Sequence, residues 1–471
     1  MKSTPFSLLA AAALALLSAN SQASGYRFGS QSVSGQNTAD ANGAEADDAS
    51  TMFSNPAGLT RLPGRQLLGA ASVVLPHSSF TDTGSTRFTG ASTGGTAAHD
   101  YVPNAVTAPS LYYSQNLDPR WTVGLGMFVP YGVKLDYGDS WTGRYAITSA
   151  KLVSLNLNPS AGVKLDEHHA LGFGISAEYM KAQLAQGVDV PGAVAALSAN
   201  PVSAAAFAHQ VAALGGNPAA LAAAKDGRGA NEGKDWAVGF NLGYLFTPDA
   251  ATRFGLAYRS SISHQLKGAT VWDFSGVSTD AVVNQLLAVS AHRANSAALV
   301  ALRTPETVSA NVFRQLDARW SAMADLTWTR NARLGDLAIE FPGTTEANEV
   351  IRQQWRNTYR LALGTAWRAS EALSLRAGIA YDQAPVRSSA LTHPALPDGD
   401  RRQFSFGAHL AIDAHSALDL AYSFVAVKDV AMAYTNACNP LSASCTGNGE
   451  TTRGNFQTRV QLLGLGYNYR F

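Results

Sequence analysis

This 471-residue chain lacks any apolar run long enough to cross a membrane as a helix. Such a span needs ~20 consecutive apolar residues. The nearest approach, Phe6 to Leu17, is too short and lies between Lys2 and the small-residue site Ser21-Gln22-Ala23, the pattern of a secretory signal over residues 1–23. A helical membrane protein is excluded. Charge is scarce as well, at 15% of residues with a formal net charge of +1. Without a basic excess to neutralise phosphates, nucleic acid is excluded as a partner. The only two cysteines, Cys438 and Cys445, lie close together in a segment rich in Asn, Ser and Gly. In an exported chain they predict a local disulfide, because a two-thiol metal site would need histidines that are not nearby. No Pro, Gly or Ser linker divides the rest, so one large domain is expected.

Catalytic constellations are missing too. Ser32 and Ser34 stand in a Gly29 to Gly35 stretch without nucleophile-elbow spacing. His168-His169, beside Asp166 and Glu167, falls in a short turn and reads as solvated. No enzyme, cofactor or metal is expected.

What the chain has is alternation. Near the C-terminus Leu463, Leu465, Tyr467, Tyr469 and Phe471 alternate with Gly464, Gly466, Asn468 and Arg470. The pattern recurs through Trp121, Val123, Leu125 and Met127, through Leu171, Phe173 and Ile175, through Trp236 to Tyr244, and in three later segments. A soluble antiparallel sheet also alternates, but its second face is rich in Lys, Glu and Thr. Here that face is Gly, Ser, Asn and Ala, as in a barrel whose outside meets lipid. About fourteen strands fit, joined alternately by short turns, such as 165–169 and 316–319, and long connections near 77–108, 130–148, 184–234, 268–304, 333–354, 384–400 and 428–454. Strict alternation is the parity of a barrel with both ends in the periplasm. The expected fold is an all-β, fourteen-stranded antiparallel transmembrane barrel over residues 65–471. Aromatics such as Trp121, Trp320, Trp367 and Phe471 would form interfacial girdles.

Helix signals sit in two of the long connections. Asn200-Pro201 and Asn217-Pro218 place a capping residue before Pro, and Phe207, Val211 and Leu214 share a face. Val283, Leu286 and Leu287, then Leu299, Val300 and Leu302, are read as helical in spacing. These predict two partly apolar helical loops outside the cell. Residues 24–64 alternate little and need a location. A barrel of this size leaves an open lumen, so they are assigned to a hatch inside it.

The chain resembles the long-chain fatty acid transporters of Gram-negative outer membranes and their relatives for aromatic hydrocarbons. The resemblance rests on Ser24-Gly25-Tyr26-Arg27-Phe28, Ala46-Asp47-Asp48-Ala49-Ser50, Asn55-Pro56-Ala57-Gly58, Trp141-Thr142-Gly143-Arg144-Tyr145, Thr304-Pro305-Glu306-Thr307-Val308, Pro397-Asp398-Gly399-Asp400-Arg401 and Tyr467-Asn468-Tyr469-Arg470-Phe471, and covers essentially the whole mature chain. The hatch element Asn55-Pro56-Ala57 is the most specific of these. The resemblance implies a weak external groove, a tighter interior pocket and a kinked third strand that opens the wall sideways. That strand here runs through Gly124, Gly126 and Pro130, although its glycines would also make room for a hatch.

On this reading Phe207, Val211, Leu214, Val283 and Leu287 line the groove, and Tyr26, Phe28 and Phe128 line the pocket. Arg144 and Lys181 are the cations placed to meet a carboxylate head group, with solvated loop charge or bridges to lipopolysaccharide as the alternative. The expected partners are a hydrophobic small molecule, outer-membrane lipid and lipopolysaccharide, and the barrel-assembly machinery acting on Phe471. The expected state is a monomer. Aromatic hydrocarbon uptake and a general diffusion porin are the alternative functions.

Overall fold

The computed structural model describes residues 27–102, 105–291, 293–436 and 447–471. The signal sequence, Tyr26, Cys438 and Cys445 lie outside these. Twenty hydrogen-bonded segments run end to end into fourteen antiparallel strands that close on themselves, and a twenty-first, Ala98–His99, pairs with the outer end of the first strand. They are β1 (Arg65–Asp82), β2 (Val106–Asn116), β3 (Trp121–Phe128, resuming as Gly132–Asp136), β4 (Ser149–Lys164), β5 (His169–Val188), β6 (Gly227–Asp249) and β7 (Thr252–Arg259, resuming as Ser263–Asp273). There follow β8 (Ser296–Arg303 and Thr307–Gln315), β9 (Trp320–Thr329 and Asp336–Glu340), β10 (Glu349–Arg352 and Thr358–Arg368), β11 (Leu373–Asp382), β12 (Arg401–Ala411), β13 (Ser416–Val427 and Val430–Thr435) and β14 (Thr451–Arg470). Closure is by β14 on β1, in register from Gln66–Arg470 to Asp82–Gly454.

The alternation sorts as the composition requires. On β6, Trp236, Val238, Phe240 and Leu242 face outward and exposed, while Gly239, Asn241 and Leu245 are buried inside. In water such a surface would be untenable; in lipid it is the favourable arrangement. Trp320 and Trp367 stack with ring centroids 5.9 Å apart at the short-turn end, where Phe471, further round the wall, is also exposed.

Several strands outrun their sequence reading. β1 continues to Asp82, β5 to Val188, and β6 begins at Gly227. On β1 and β6 these extensions carry mostly polar residues outward, so a search for greasy outward faces stops short of them. Leu299, Val300 and Leu302 are not helical, which corrects the expectation above. They belong to β8 and pair with Lys267, Leu266 and His264 of β7. Over so few residues, positions 300 and 302 fit a period of two as well as a helical one, and the neighbouring ladder decides.

The expected caps do form helices. Besides two short hatch helices, α1 (Val33–Asn37) and α2 (Thr51–Ser54), the outer loops carry α3 (Val190–Ser198), α4 (Pro201–Ala213) and α5 (Ala281–Ser290). The side chain of Asn200 accepts from Val202 N and Ser203 N, and that of Asp280 accepts from Val282 N and Val283 N. Asn217 caps only a 3-10 turn, Pro218–Ala223. α3 went unread in the sequence, its cap being Asp189, which accepts from Gly192 N.

Candidate functional site

The segment from Phe28 to Leu62 is almost wholly buried and lies against the inner face of the barrel. Asn55 seats it. Its Oδ1 accepts from Ala57 N at 3.1 Å and its Nδ2 donates to Tyr244 O at 3.0 Å. Gly172 and Gly243, opposite each other on β5 and β6, form the floor. A Cβ on Gly172 would come within 2.1 Å of Ala57 N, and one on Gly243 within 2.1 Å of Asn55 Oδ1. Thus the Asn-Pro-Ala element fits only where two strands give up their side chains. Ionic ties add to it: Arg376 meets Glu45 at 2.8 Å and Asp47 at 2.6 Å, and Arg360 meets Asp40 at 3.2 Å.

The third strand is broken at Val129-Pro130-Tyr131. Below the break β3 pairs with β2 from Leu111–Met127 to Asn116–Thr122. Above it, Gly132–Asp136 pairs with β4, and no ladder joins it to Val106–Ser110 of β2 among the described residues. The start of the hatch occupies the break. Phe28 N donates to Pro130 O at 2.8 Å, and Arg27 bridges to Tyr131. Gln31, missed in the sequence, stands in for the absent strand. Its Oε1 accepts from Val129 N at 3.1 Å, while its Nε2 donates to Val129 O and Phe28 O at 2.7 Å each. Proline supplies no N–H and so leaves nothing there to satisfy. Gly124 is the glycine that makes room for the hatch, since a Cβ would lie 2.7 Å from the Met52 sulfur. Gly126 lies against the Tyr112 ring.

Two cavities in the lumen, among the described residues, bear on transport. One, of about 110 Å³, rests on the hatch and is lined by Arg27, Phe28, Asp40, Phe53, Arg259 and Asp325 among others. The second, of about 120 Å³ and almost entirely apolar, lies toward the long loops among Val133, Leu152, Leu184, Leu266, Val300 and Leu337. The buried pair His264–Glu178, at 3.2 Å, joins β7, which lines both, to β5, which lines the second. The sequence signal for the apolar cavity existed. At the outer ends of β4, β5 and β7 the lumen-facing positions change from Gly, Ser and Asn to leucine.

The sequence-chosen residues distribute unevenly. Phe28 packs with Val74, Val106, Val129 and Val425 at the break. Phe128 belongs to a different cluster, edge-on to Phe53 at 5.2 Å and beside Met52 and Leu59, so it supports the hatch. Phe207, Val211, Val283 and Leu287 do come together with Trp272 and Phe274. Val211 and Val283 are, however, fully buried in that cluster, and Leu214 points away, 61% exposed. Those two valines therefore hold the loops together, and a groove lined by them is not open.

Neither chosen cation is free to meet a carboxylate. Arg144 is spent inside the loops, donating from Nε to Asp226 at 2.7 Å and from its other nitrogens to Gly94 O, Trp141 O, Thr93 O and Tyr145 Oη. Lys181 lies on the outward parity of β5 and pairs with Glu232 at 2.8 Å. In the same loop region burial, reinforced by Glu349 and Asp189, pushes the Glu450 carboxyl up to about 8. Burial also lowers the His393 imidazole to about 3.

A closed lipid-facing barrel stoppered by its own N-terminal segment, with an apolar chamber above the stopper, defines a class of outer-membrane transport proteins. Comparison with known proteins places the chain within it. The family model described as "Outer membrane protein transport protein (OMPP1/FadL/TodX)" matches residues 14–471. An outer membrane protein of Neisseria meningitidis serogroup B is 33% identical over 469 residues, 97% of each chain. The long-chain fatty acid transport protein of Escherichia coli K12 is 24% identical over 427 residues, 88% of this chain and 90% of its own. Among solved structures, a Pseudomonas aeruginosa FadL homologue superposes with a TM-score of 0.80 at 22% identity, covering 95% of this chain and 100% of that one. The P. putida toluene transporter TodX gives 0.65 at 18% identity over 90% and 94%. The chain belongs to the OMPP1/FadL/TodX family. It is an integral outer-membrane transport protein and not an enzyme.

Proposed function

We propose that this barrel takes up hydrophobic small molecules, long-chain fatty acids foremost, and releases them sideways at the broken third strand. The observation that carries this reading is the juxtaposition of an apolar lumen chamber with a wall break held shut by the hatch. Each buried methylene gains ~0.8 kcal/mol over water, so a chain of apolar sites draws in a ligand that a water-filled pore would not. Two guanidiniums face the lumen where Arg144 and Lys181 do not. Arg27 and Arg259 lie 5.7 and 5.0 Å from the Phe53 ring, and neither has a carboxylate within ion-pair distance among the described residues. They suit an acid head group.

A second reading, monoaromatic hydrocarbon uptake, is favoured by the size of the apolar chamber, because a dry cavity of ~150 Å³ accepts benzene. Displacement of a bound lipophilic fluorophore by palmitate and by toluene ranks the two. A disulfide engineered between the hatch and the barrel wall should abolish uptake of either. Undiminished uptake by the locked protein, or free passage of hydrophilic solutes through the native one, would refute the reading.

A further inference from the structure

The outward face of β3 to β7 changes character abruptly. Leu155 and Val153 on β4, Tyr179 on β5 and Trp236 on β6 end the apolar belt, the last two with rings 5.4 Å apart. The next outward residue on each strand is a lysine: Lys151, Lys181 and Lys234. Register then aligns them. Lys181 is directly opposite Lys234, and Lys234 is directly opposite Lys267 on β7. Lys134 on β3 is directly opposite Lys151. Five lysines thus occupy two adjoining rungs, where directly opposed like charges are destabilising.

Acid groups compensate little of this. Glu232 takes Lys181 at 2.8 Å and also accepts from Gln183, and Asp136 stands two residues beyond Lys134. Lys134, Lys151, Lys234 and Lys267 have no ion pair among the described residues, and Lys234 and Lys267 are exposed.

We propose that this lysine patch docks a phosphate-bearing glycolipid of the outer leaflet. Depth and chemistry agree. Paired aromatics mark the membrane interface, so ammoniums one position further out meet head groups while acyl chains lie against Phe173, Ile175 and Phe240. Opposed side chains about 5 Å apart allow one phosphate to bridge two of them. The occupant supplies the negative charge that the sheet withholds, which turns a repulsive ladder into a stabilised one.

The test uses the full mature chain in detergent, titrated with a bisphosphorylated glycolipid, with the same lipid dephosphorylated and with inorganic phosphate, and read by native mass spectrometry. The phosphorylated lipid should bind, the dephosphorylated one far more weakly, and K151Q/K234Q/K267Q should lose roughly a hundredfold in affinity, on the order of fivefold per lysine. K151R/K234R/K267R should retain binding. Without lipid, the glutamine variant should melt no lower than the parent, because repulsion is relieved. Equal binding of the two lipids, an unaffected glutamine variant, or inorganic phosphate competing as well as the lipid would overturn the proposal.

Discussion

Replacing Gln31 by leucine keeps a side chain of similar size beside Phe28 but removes three hydrogen bonds at the strand break: the one accepted from Val129 N and the two donated to Val129 O and Phe28 O. Each is worth about 1 kcal/mol net, so the clasp loses about 3 kcal/mol. At 1.4 kcal/mol per factor of ten, this shifts its opening roughly a hundredfold. The main chain of Gln31 stays tied, because Tyr112 Oη donates to its carbonyl at 2.9 Å. The change should therefore free the segment around Arg27 to Ser30 without unseating Asn55. Opening is read by placing a thiol on the buried Ser30 (Ser30→Cys) in a background whose two native cysteines are serine. Its labelling by a water-soluble reagent should accelerate by about two orders of magnitude in the Gln31→Leu protein. Release of a hydrophobic ligand into the membrane should also speed up if the clasp limits it. Labelling within about twofold of the parent would show that Gln31 bears no such load.

Four other outcomes follow from the geometry. Gly172→Ala forces a methyl to within 2.1 Å of Ala57 N and should cost about 1–3 kcal/mol, seen as protease sensitivity of the hatch. Gly276→Ala, with nothing within 4 Å, should be silent. Leu184→Gln puts a polar amide into the apolar chamber and should weaken binding of hydrophobic ligands about tenfold or more, measured by fluorophore displacement, with the fold unchanged by circular dichroism. Glu450 keeps its proton up to about pH 8 when folded but loses it near 4.5 when unfolded. Its contribution is thus fully present below the lower value and is lost as pH rises to the upper one. Glu450→Gln should flatten the decline in melting temperature between pH 5 and 8.

The parts legible in the sequence were those with local causes. A period of two with glycine and serine opposite leucine and phenylalanine requires lipid outside and a lumen inside. Asn200-Pro201 signals a helix start whatever surrounds it, whereas Asn55-Pro56-Ala57 was singled out as the hatch element only through the family resemblance. Arg144 and Lys181 show where such reading stops. Both are cations in the expected region, yet their worth depends on Asp226 and Glu232, far along the chain and brought close by folding. Leu299 to Leu302 show the same limit for secondary structure, because only the β7 ladder makes them a strand.

By itself, then, the sequence determined the strand period, the face each strand turns to lipid, and the alternation of turns and loops. Those follow from hydrophobicity and backbone preference acting over a few residues. The tertiary structure alone decided which side chains meet inside the bore: the Gln31 clasp on the broken strand, the leucine chamber and the opposed lysines. Register and closure set those distances, and register is a relation between segments that no single segment encodes.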